Sequence, residues 1–266
     1  MELGKPLAIG RTAEVYDWGE GRVLKLIRPE MPASLGETEA RAVRAAMAAG
    51  LATPGLLETI ALEGRYGLVY ERVDGPSMLE ALSAQPWSIG KLAGQMAGLQ
   101  ASMHDARAQQ LPDLKAHLGR MIKAASKTLT PDLTTAALGR LRDLPDGTAI
   151  LHGDLHPGNI VMTERGPVVI DWLTVTQGDP AADVARTLLL LRGGALPGGA
   201  PRLQRAVTGL GRSAFTRSYL RAYRGLRQVD IDAVRAWSPV VMAARLAEGI
   251  EAEEEALLEQ VRRELA

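Results

Sequence analysis

Residues 149–162 read Ala149-Ile150-Leu151-His152-Gly153-Asp154-Leu155-His156-Pro157-Gly158-Asn159-Ile160-Val161-Met162, and residues 167–172 read Pro167-Val168-Val169-Ile170-Asp171-Trp172. Short apolar runs surround a polar octet. Runs of this kind predict brief strands, and Pro157-Gly158 predicts that the octet is a loop. Asp171 ends an apolar strand that has no packing reason to be acidic. Three oxygen-bearing side chains, Asp154, Asn159 and Asp171, are thereby brought near one hairpin. Such hard donors suit Mg2+, whose remaining positions are usually filled by water and substrate phosphates.

The same octet contains His152-x-Asp154-x-His156. On a regular strand these side chains would share a face and suggest a zinc hydrolase. The loop reading instead makes His152 a hydrogen-bonded brace, and it gives Asn159 and Asp171 a use that the zinc reading leaves idle. His104 and His117, on predicted helices, read as packing residues.

Working upstream, Val23-Leu24-Lys25-Leu26-Ile27 places an isolated lysine in an apolar strand, on the face of Val23 and Ile27 by period-two alternation. Glu39, on a helix predicted from Glu37 to Gly50, is its candidate partner. In Ile9-Gly10-Arg11-Thr12-Ala13-Glu14-Val15-Tyr16, Gly10 and the small Thr12 and Ala13 leave room for backbone N–H groups to approach an anion. Further strands are predicted at 7–9, 14–16, 56–62 and 66–70. Asp17-Trp18-Gly19-Glu20-Gly21 signals a turn, and Gly50 stands where a helix C′ glycine belongs.

Beyond Asp74-Gly75-Pro76 the chain turns helical, with candidates at 77–84, 88–105, 113–127, 132–143, 180–192, 202–225 and 238–265. Brief strands at 148–151, 159–162 and 167–170 interrupt them. Asp179-Pro180 is a helix start, an Asp N-cap with Pro at the first helical position. Strands first and helices later argue for an α+β protein of two lobes, a small β-rich one at 1–73 and a mainly helical one at 74–266.

Glycine loop, strand lysine, helix glutamate, Asp-x4-Asn and strand-terminal Asp follow the order of the working parts of a kinase. Over about residues 7–190 the chain resembles the aminoglycoside phosphotransferase and choline kinase group of small-molecule kinases. His152 to Asn159 is similar to its HGDxxxxN loop, Val169-Ile170-Asp171-Trp172 to its metal-binding IDF/IDW segment, and Gly178-Asp179-Pro180-Ala181-Ala182-Asp183 to its GDPxxD helix start. The resemblance implies a protein-kinase-like fold with ATP and Mg2+ bound between the lobes. Asp154 would be the catalytic base, Asn159 and Asp171 the metal ligands, and Lys25 the phosphate contact positioned by Glu39. Gly10, Thr12, Ala13 and Val15 would border the phosphates, and the backbone of Glu71 and Val73 would receive adenine. Asp183 would brace the catalytic loop. The single glycine at Gly10 leaves ATP and GTP both open. No long activation segment fits between Asp171 and Pro180, which argues against a protein substrate.

Composition is consistent with this reading. The chain has 266 residues, 46% hydrophobic, with 31 basic and 31 acidic side chains and no cysteine. A balanced charge argues against a nucleic-acid partner, and the lack of cysteine removes thiolate chemistry and disulfides. No apolar stretch reaches the roughly 18 residues that would cross a membrane, and Met1 to Pro6 has no signal-peptide pattern, so the cytoplasm is the expected compartment.

The charge of the acceptor is read two ways. Glu248, Glu251, Glu255 and Glu259 recur along one face of the last predicted helix, opposite Ile250, Leu257, Val261 and Leu265, and would suit a cation. Val184 to Val229 holds Arg186, Arg192, Arg202, Arg205, Arg212, Arg217, Arg221, Arg224 and Arg227 without an acidic residue. That belt reads as a diffuse basic surface. The rival to a small-molecule kinase is a catalytically idle relative that binds nucleotide and regulates.

Overall fold

The computed structural model describes residues 3–108, 111–193 and 202–265, and the side chains of all of these but 202–208. Two compact units emerge, Met1–Ala81 with Pro157–Val175, and Leu82–His156 with Thr176–Ala266.

The first unit is built on an antiparallel sheet in the order β1-β2-β3-β5-β4, from β1 (Ala8–Ile9), β2 (Ala13–Asp17), β3 (Arg22–Ile27), β4 (Leu56–Leu62) and β5 (Arg65–Glu71). The turn joining β2 to β3 has positive φ at Gly19, Glu20 and Gly21, where two glycines remove the Cβ penalty. In β3, Leu24 and Leu26 are fully buried in a cluster with Tyr16 and Val69. Alternation therefore sends Lys25 to the opposite face, where it lies across from Val15 on β2 and Leu68 on β5.

That face is covered by α1 (Ser34–Ala48), whose buried stripe includes Gly36, Glu39, Ala40, Val43 and Ala46. The helix ends as the sequence predicts. Gly50 has φ of 70°, its N–H donates to Met47 O at 3.0 Å, and Leu51 N–H donates to Ala46 O at 3.0 Å. This paired closure is a Schellman motif.

Residues 157–175 join the first unit through the hairpin β7 (Ile160–Thr163) and β8 (Gly166–Val169). Met162 N–H donates to Pro76 O at 2.8 Å, and Val169 N–H donates to Ala52 O at 2.8 Å. These hydrogen bonds tie a late hairpin to early chain, so the first unit is discontinuous in sequence. Gly75 permits that approach: its φ is 151°, and a Cβ there would sit 2.1 Å from Met162 O. Backbone cannot step aside cheaply, so Gly75→Ala is expected to destabilise the protein by about 2–3 kcal/mol in chemical denaturation.

α2 (Met78–Ala84) begins in the first unit and ends in the second, which is mainly helical: α3 (Ile89–Asp105), α4 (Leu114–Ala124), α5 (Pro131–Asp143), α6 (Pro180–Arg192), α7 (Arg202–Leu226), α8 (Ile231–Arg245) and α9 (Glu251–Leu265). Phe215, Tyr219 and Tyr223, four residues apart on α7, are buried. Two strands, β6 (Ala149–Leu151) and β9 (Thr176–Gly178), pair antiparallel. Asp179 caps α6, accepting from Ala181 N–H at 3.0 Å, and also accepts from Trp237 Nε1 at 2.9 Å.

Two elements differ from expectation. Thr176-Gln177-Gly178 carries no apolar signal, and β9 forms because β6 needs a partner. The helix predicted at 238–265 is two helices. Ser238-Pro239 has the form of a helix start, yet α8 begins at the Asp230 cap and runs through Pro239, and Gly249 with φ of 63° separates it from α9. Glu248 consequently lies outside α9 and does not extend a stripe with Glu251, Glu255 and Glu259, which are exposed. Among the described residues no helix is long and apolar enough to cross a membrane.

Candidate active site

In the first unit Lys25 is the centre of a charge cluster. Its Nζ donates to Glu39 Oε1 at 2.8 Å and to Asp171 Oδ1 at 2.9 Å. Glu39 rather than Glu37 is the inward residue: its side chain is 2% exposed, whereas Glu37 is exposed. Burial opposes the Lys25 ammonium, but the two carboxylates overcome it and raise its pKa. Burial also pushes the Glu39 carboxyl up, against the pull of Lys25. Tyr70, whose hydroxyl donates to Glu39 Oε1 at 3.1 Å, was not visible as a partner from sequence. Glu39 Oε2 is buried without a hydrogen-bond partner.

Asp171 stands just past β8 with φ of 64° and ψ of 67°. Among the described residues the other non-glycine residues at positive φ, Glu20 and Glu63, are in hairpin turns beside glycines. Asp171 has no such excuse, and backbone strain of this kind, about 1–3 kcal/mol, concentrates at functional sites. Trp172 holds the turn, fully buried and donating through Nε1 to Val169 O at 2.9 Å.

Asn159 lies at the same end of the hairpin, its carbonyl accepting from Ile170 N–H at 3.0 Å. One carboxylate and one amide oxygen on adjoining chain, with no soft donor in the set, fit a Mg2+ that keeps water and phosphate ligands. Gly10 supports a tight turn rather than donating to a ligand, because its N–H donates to Ala13 O at 2.8 Å. Thr12 O is taken by Arg28 N–H at 2.9 Å, and Ala13 and Val15 belong to β2. At the end of β5, Glu71 N–H donates to Gly55 O at 2.8 Å, so a ligand contact from Glu71 would use its carbonyl; Val73 follows the strand.

In the second unit the catalytic-loop candidate is held by a buried polar network. Asp183, on the first turn of α6, accepts from Gly153 N–H at 2.8 Å and His152 N–H at 3.3 Å. Gln100 Nε2 donates to it at 2.8 Å, and His104 Nε2 lies 3.0 Å away. His104 Nδ1 meets Tyr223 OH, and Tyr219 OH donates to Gln100 Oε1. His152 is fully buried and its Nδ1 accepts from Asp154 N–H at 3.2 Å, which makes it the brace expected. That role turns its ring toward loop backbone and gives the zinc reading no support. His104 is a core histidine, but it serves the loop through Asp183. His117 is half-buried, and burial with the charges of Arg120 and Arg186 pulls its pKa down.

Burial would raise the Asp183 pKa, yet the hydrogen bonds and charge of His104, with Gln100 and Gly153, hold it down at about 2. A carboxyl depressed from 3.8 stabilises the fold above pH 3.8 and loses that contribution as pH falls toward 2. Denaturation is expected to show about 2 kcal/mol lost over this window, and Asp183→Asn is expected to remove that slope.

Asp154 itself faces Arg186, whose Nη2 lies 3.6 Å from Oδ1, and His156, whose Nε2 lies 3.8 Å from Oδ2. Sequence reading assigned Arg186 to a diffuse basic surface. The structure turns it inward, its side chain 13% exposed, because α6 presents that position to the loop that Asp183 also grips. Arg227 is likewise paired, with Asp105, while Arg217, Arg221 and Arg224 are exposed. The side chains of Arg202 and Arg205 lie outside the described residues.

A strand lysine paired with a helix glutamate, a hairpin with Asn159 and Asp171, and an aspartate loop gripped by the following helix define a kinase-like phosphotransferase. The sequence matches the phosphotransferase enzyme family over residues 4–237, and the chain belongs to that family of small-molecule kinases. No curated protein sequence matches it at significance.

Solved structures share the fold. One is the streptomycin-ATP-APH(2")-IIa ternary complex, 16% identical, with TM-score 0.63 over 100% of this chain and 90% of that one. Another is the amicoumacin kinase hAmiN with AMP-PNP, Ca2+ and Ami, 16% identical, TM-score 0.63, covering 98% and 87%. A choline/ethanolamine kinase family protein from Mesorhizobium loti is 19% identical, TM-score 0.63, covering 98% and 90%.

Proposed function

We propose that the protein transfers the γ-phosphoryl group of ATP to a hydroxyl of a small molecule in the cytoplasm. The observation that carries this reading is the three-way contact of Lys25 with Glu39 and Asp171, a cation held at fixed position by two carboxylates from a helix and a hairpin. Phosphoryl transfer asks a protein mainly for positioning and charge neutralisation. The nucleotide complexes among similar structures support ATP as donor.

In this reading Lys25 contacts the α- and β-phosphates, the turn at Gly10, Thr12, Ala13 and Val15 borders them, and the Glu71 carbonyl and Val73 backbone meet adenine. Asn159 and Asp171 hold Mg2+, which when bound supplies neutralisation of phosphate charge. Asp154 accepts the acceptor's proton as its O–H bond breaks and the new O–P bond forms. The bond from the γ-phosphorus to the bridging oxygen breaks, and ADP leaves with that electron pair.

The reading is tested by ADP release over cationic, neutral and anionic hydroxyl compounds, alongside thermal shift with a non-hydrolysable nucleotide. Stabilisation by the Mg2+-nucleotide and acceptor-dependent ADP release are expected. Nucleotide binding without turnover on any compound would favour the idle-relative reading.

A further inference from the structure

The base candidate belongs to a chain of ion pairs that the kinase reading does not call for. Arg186 Nε donates to Gly153 O at 3.0 Å, and its Nη2 donates to Glu248 Oε1 at 2.6 Å. Glu248 also accepts from Arg245 Nη1, and Arg245 Nε donates to Glu253 Oε2 at 2.9 Å on α9. Only then comes Asp154, 3.6 Å from the same Nη2. The two distances on Nη2 decide its role. At 2.6 Å the guanidinium is hydrogen-bonded to Glu248, whereas 3.6 Å to Asp154 is beyond hydrogen-bonding range and leaves an ionic contact.

We propose that Arg186 is a positioning residue for the base and that Glu248 restrains it: Arg186 fixes the loop through Gly153 O and holds Asp154 at a distance, while Glu248 keeps the guanidinium from closing on the carboxylate. This rests on the reading of Asp154 as base. A base must be oriented yet keep an oxygen able to take a proton. An arginine with five donors in a planar fork closes readily onto a carboxylate as a bidentate pair. A competing carboxylate at closer range prevents that closure. The charged groups around the pair are His156 from the loop, His117 and Arg120 from α4, Arg245 from α8, and Glu248 from the turn that precedes α9. Of the predicted acidic stripe only Glu248 takes part, from outside α9, and its carboxylate is explained by Arg186 and Arg245 without a cationic acceptor.

A double-mutant cycle on the full chain tests this, with Mg-ATP as substrate and ADP release as readout, using the best hydroxyl compound of the panel or water alone. Arg186→Gln is expected to lower kcat about 10–100-fold with little change in KM for ATP, since a misplaced catalytic group costs on this scale while nucleotide contacts are untouched. Glu248→Ala is expected to lower kcat about tenfold, because Arg186 then closes on Asp154. The double variant is expected to be no slower than Arg186→Gln alone, because without the guanidinium Glu248 has nothing to restrain; a loss of kcat in Glu248→Ala at unchanged thermal stability is what a merely structural pair does not produce. Arg186→Lys, which keeps the charge but not the fork, is expected to fall between wild type and Arg186→Gln. Thermal unfolding of each variant separates loss of fold from loss of rate.

Wild-type kcat in Glu248→Ala, or a double loss equal to the product of the single losses, overturns the proposal while Asp154→Asn remains inactive. Equal rates for wild type and Asp154→Asn remove Asp154 as the base, and the proposal with it.

Discussion

Asp154→Asn is expected to lower ADP release with an accepted hydroxyl compound by about 10²–10⁴-fold, the range assigned to a general base, with nucleotide affinity unchanged. The substitution is nearly isosteric. Asp154 N–H still donates to His152 Nδ1, and Arg186 still grips Gly153 O, so the loop keeps its shape. What disappears is the group that accepts the proton. Steady-state kinetics, with nucleotide titration by calorimetry, check both halves. A rate within about threefold of wild type would move the role of base to another residue.

Lys25→Met is expected to be costly in stability as well as turnover. The lysine side chain is 15% exposed and its partner Glu39 is 2% exposed, so the substitution leaves a buried carboxylate with Tyr70 as its remaining donor. Removing one member of a buried ion pair costs about 3–5 kcal/mol when the other stays charged.

The sign of the pH dependence follows. Burial already pushes Glu39 up, and without Lys25 it rises further. An acid whose folded pKa exceeds its unfolded value binds more protons in the native state, so stability falls as pH rises through that range. The deficit of Lys25→Met is therefore expected to be larger at pH 8 than at pH 5 in urea denaturation. Adding Glu39→Gln is expected to recover most of it at pH 8. A deficit independent of pH would mean that losing Lys25 does not change the protonation of Glu39 in the folded protein.

The parts of the site that sequence exposes are those built from local rules. Lys25 follows from strand alternation, Asp171 from an acid closing an apolar strand, and Asp179-Pro180 and Gly50 from helix-end chemistry. Glu39 is legible because a lysine in an apolar strand needs a counter-charge within reach. Arg186 is not, since its partner Glu248 is 62 residues away and nothing in the arginine-rich stretch marks one member as inward. His104 reads as a packing residue and Gln100 carries no sequence signal, yet both act on Asp183 from α3, 79 and 83 residues upstream of it.

By itself, then, the sequence determined which residues carry charge at strand ends, where helices start and stop near caps and glycines, and the order of the kinase-like parts. Tertiary structure alone decided that Gly249 divides the last helix, that residues 157–175 return to the first unit, and that Arg186 is shared between Gly153, Asp154 and Glu248. The physical reason is range. Alternation, capping and turn propensity act over a few residues and leave a local pattern, whereas a buried polar group takes whichever partner the packing supplies, and the identity of that partner is written only in three dimensions.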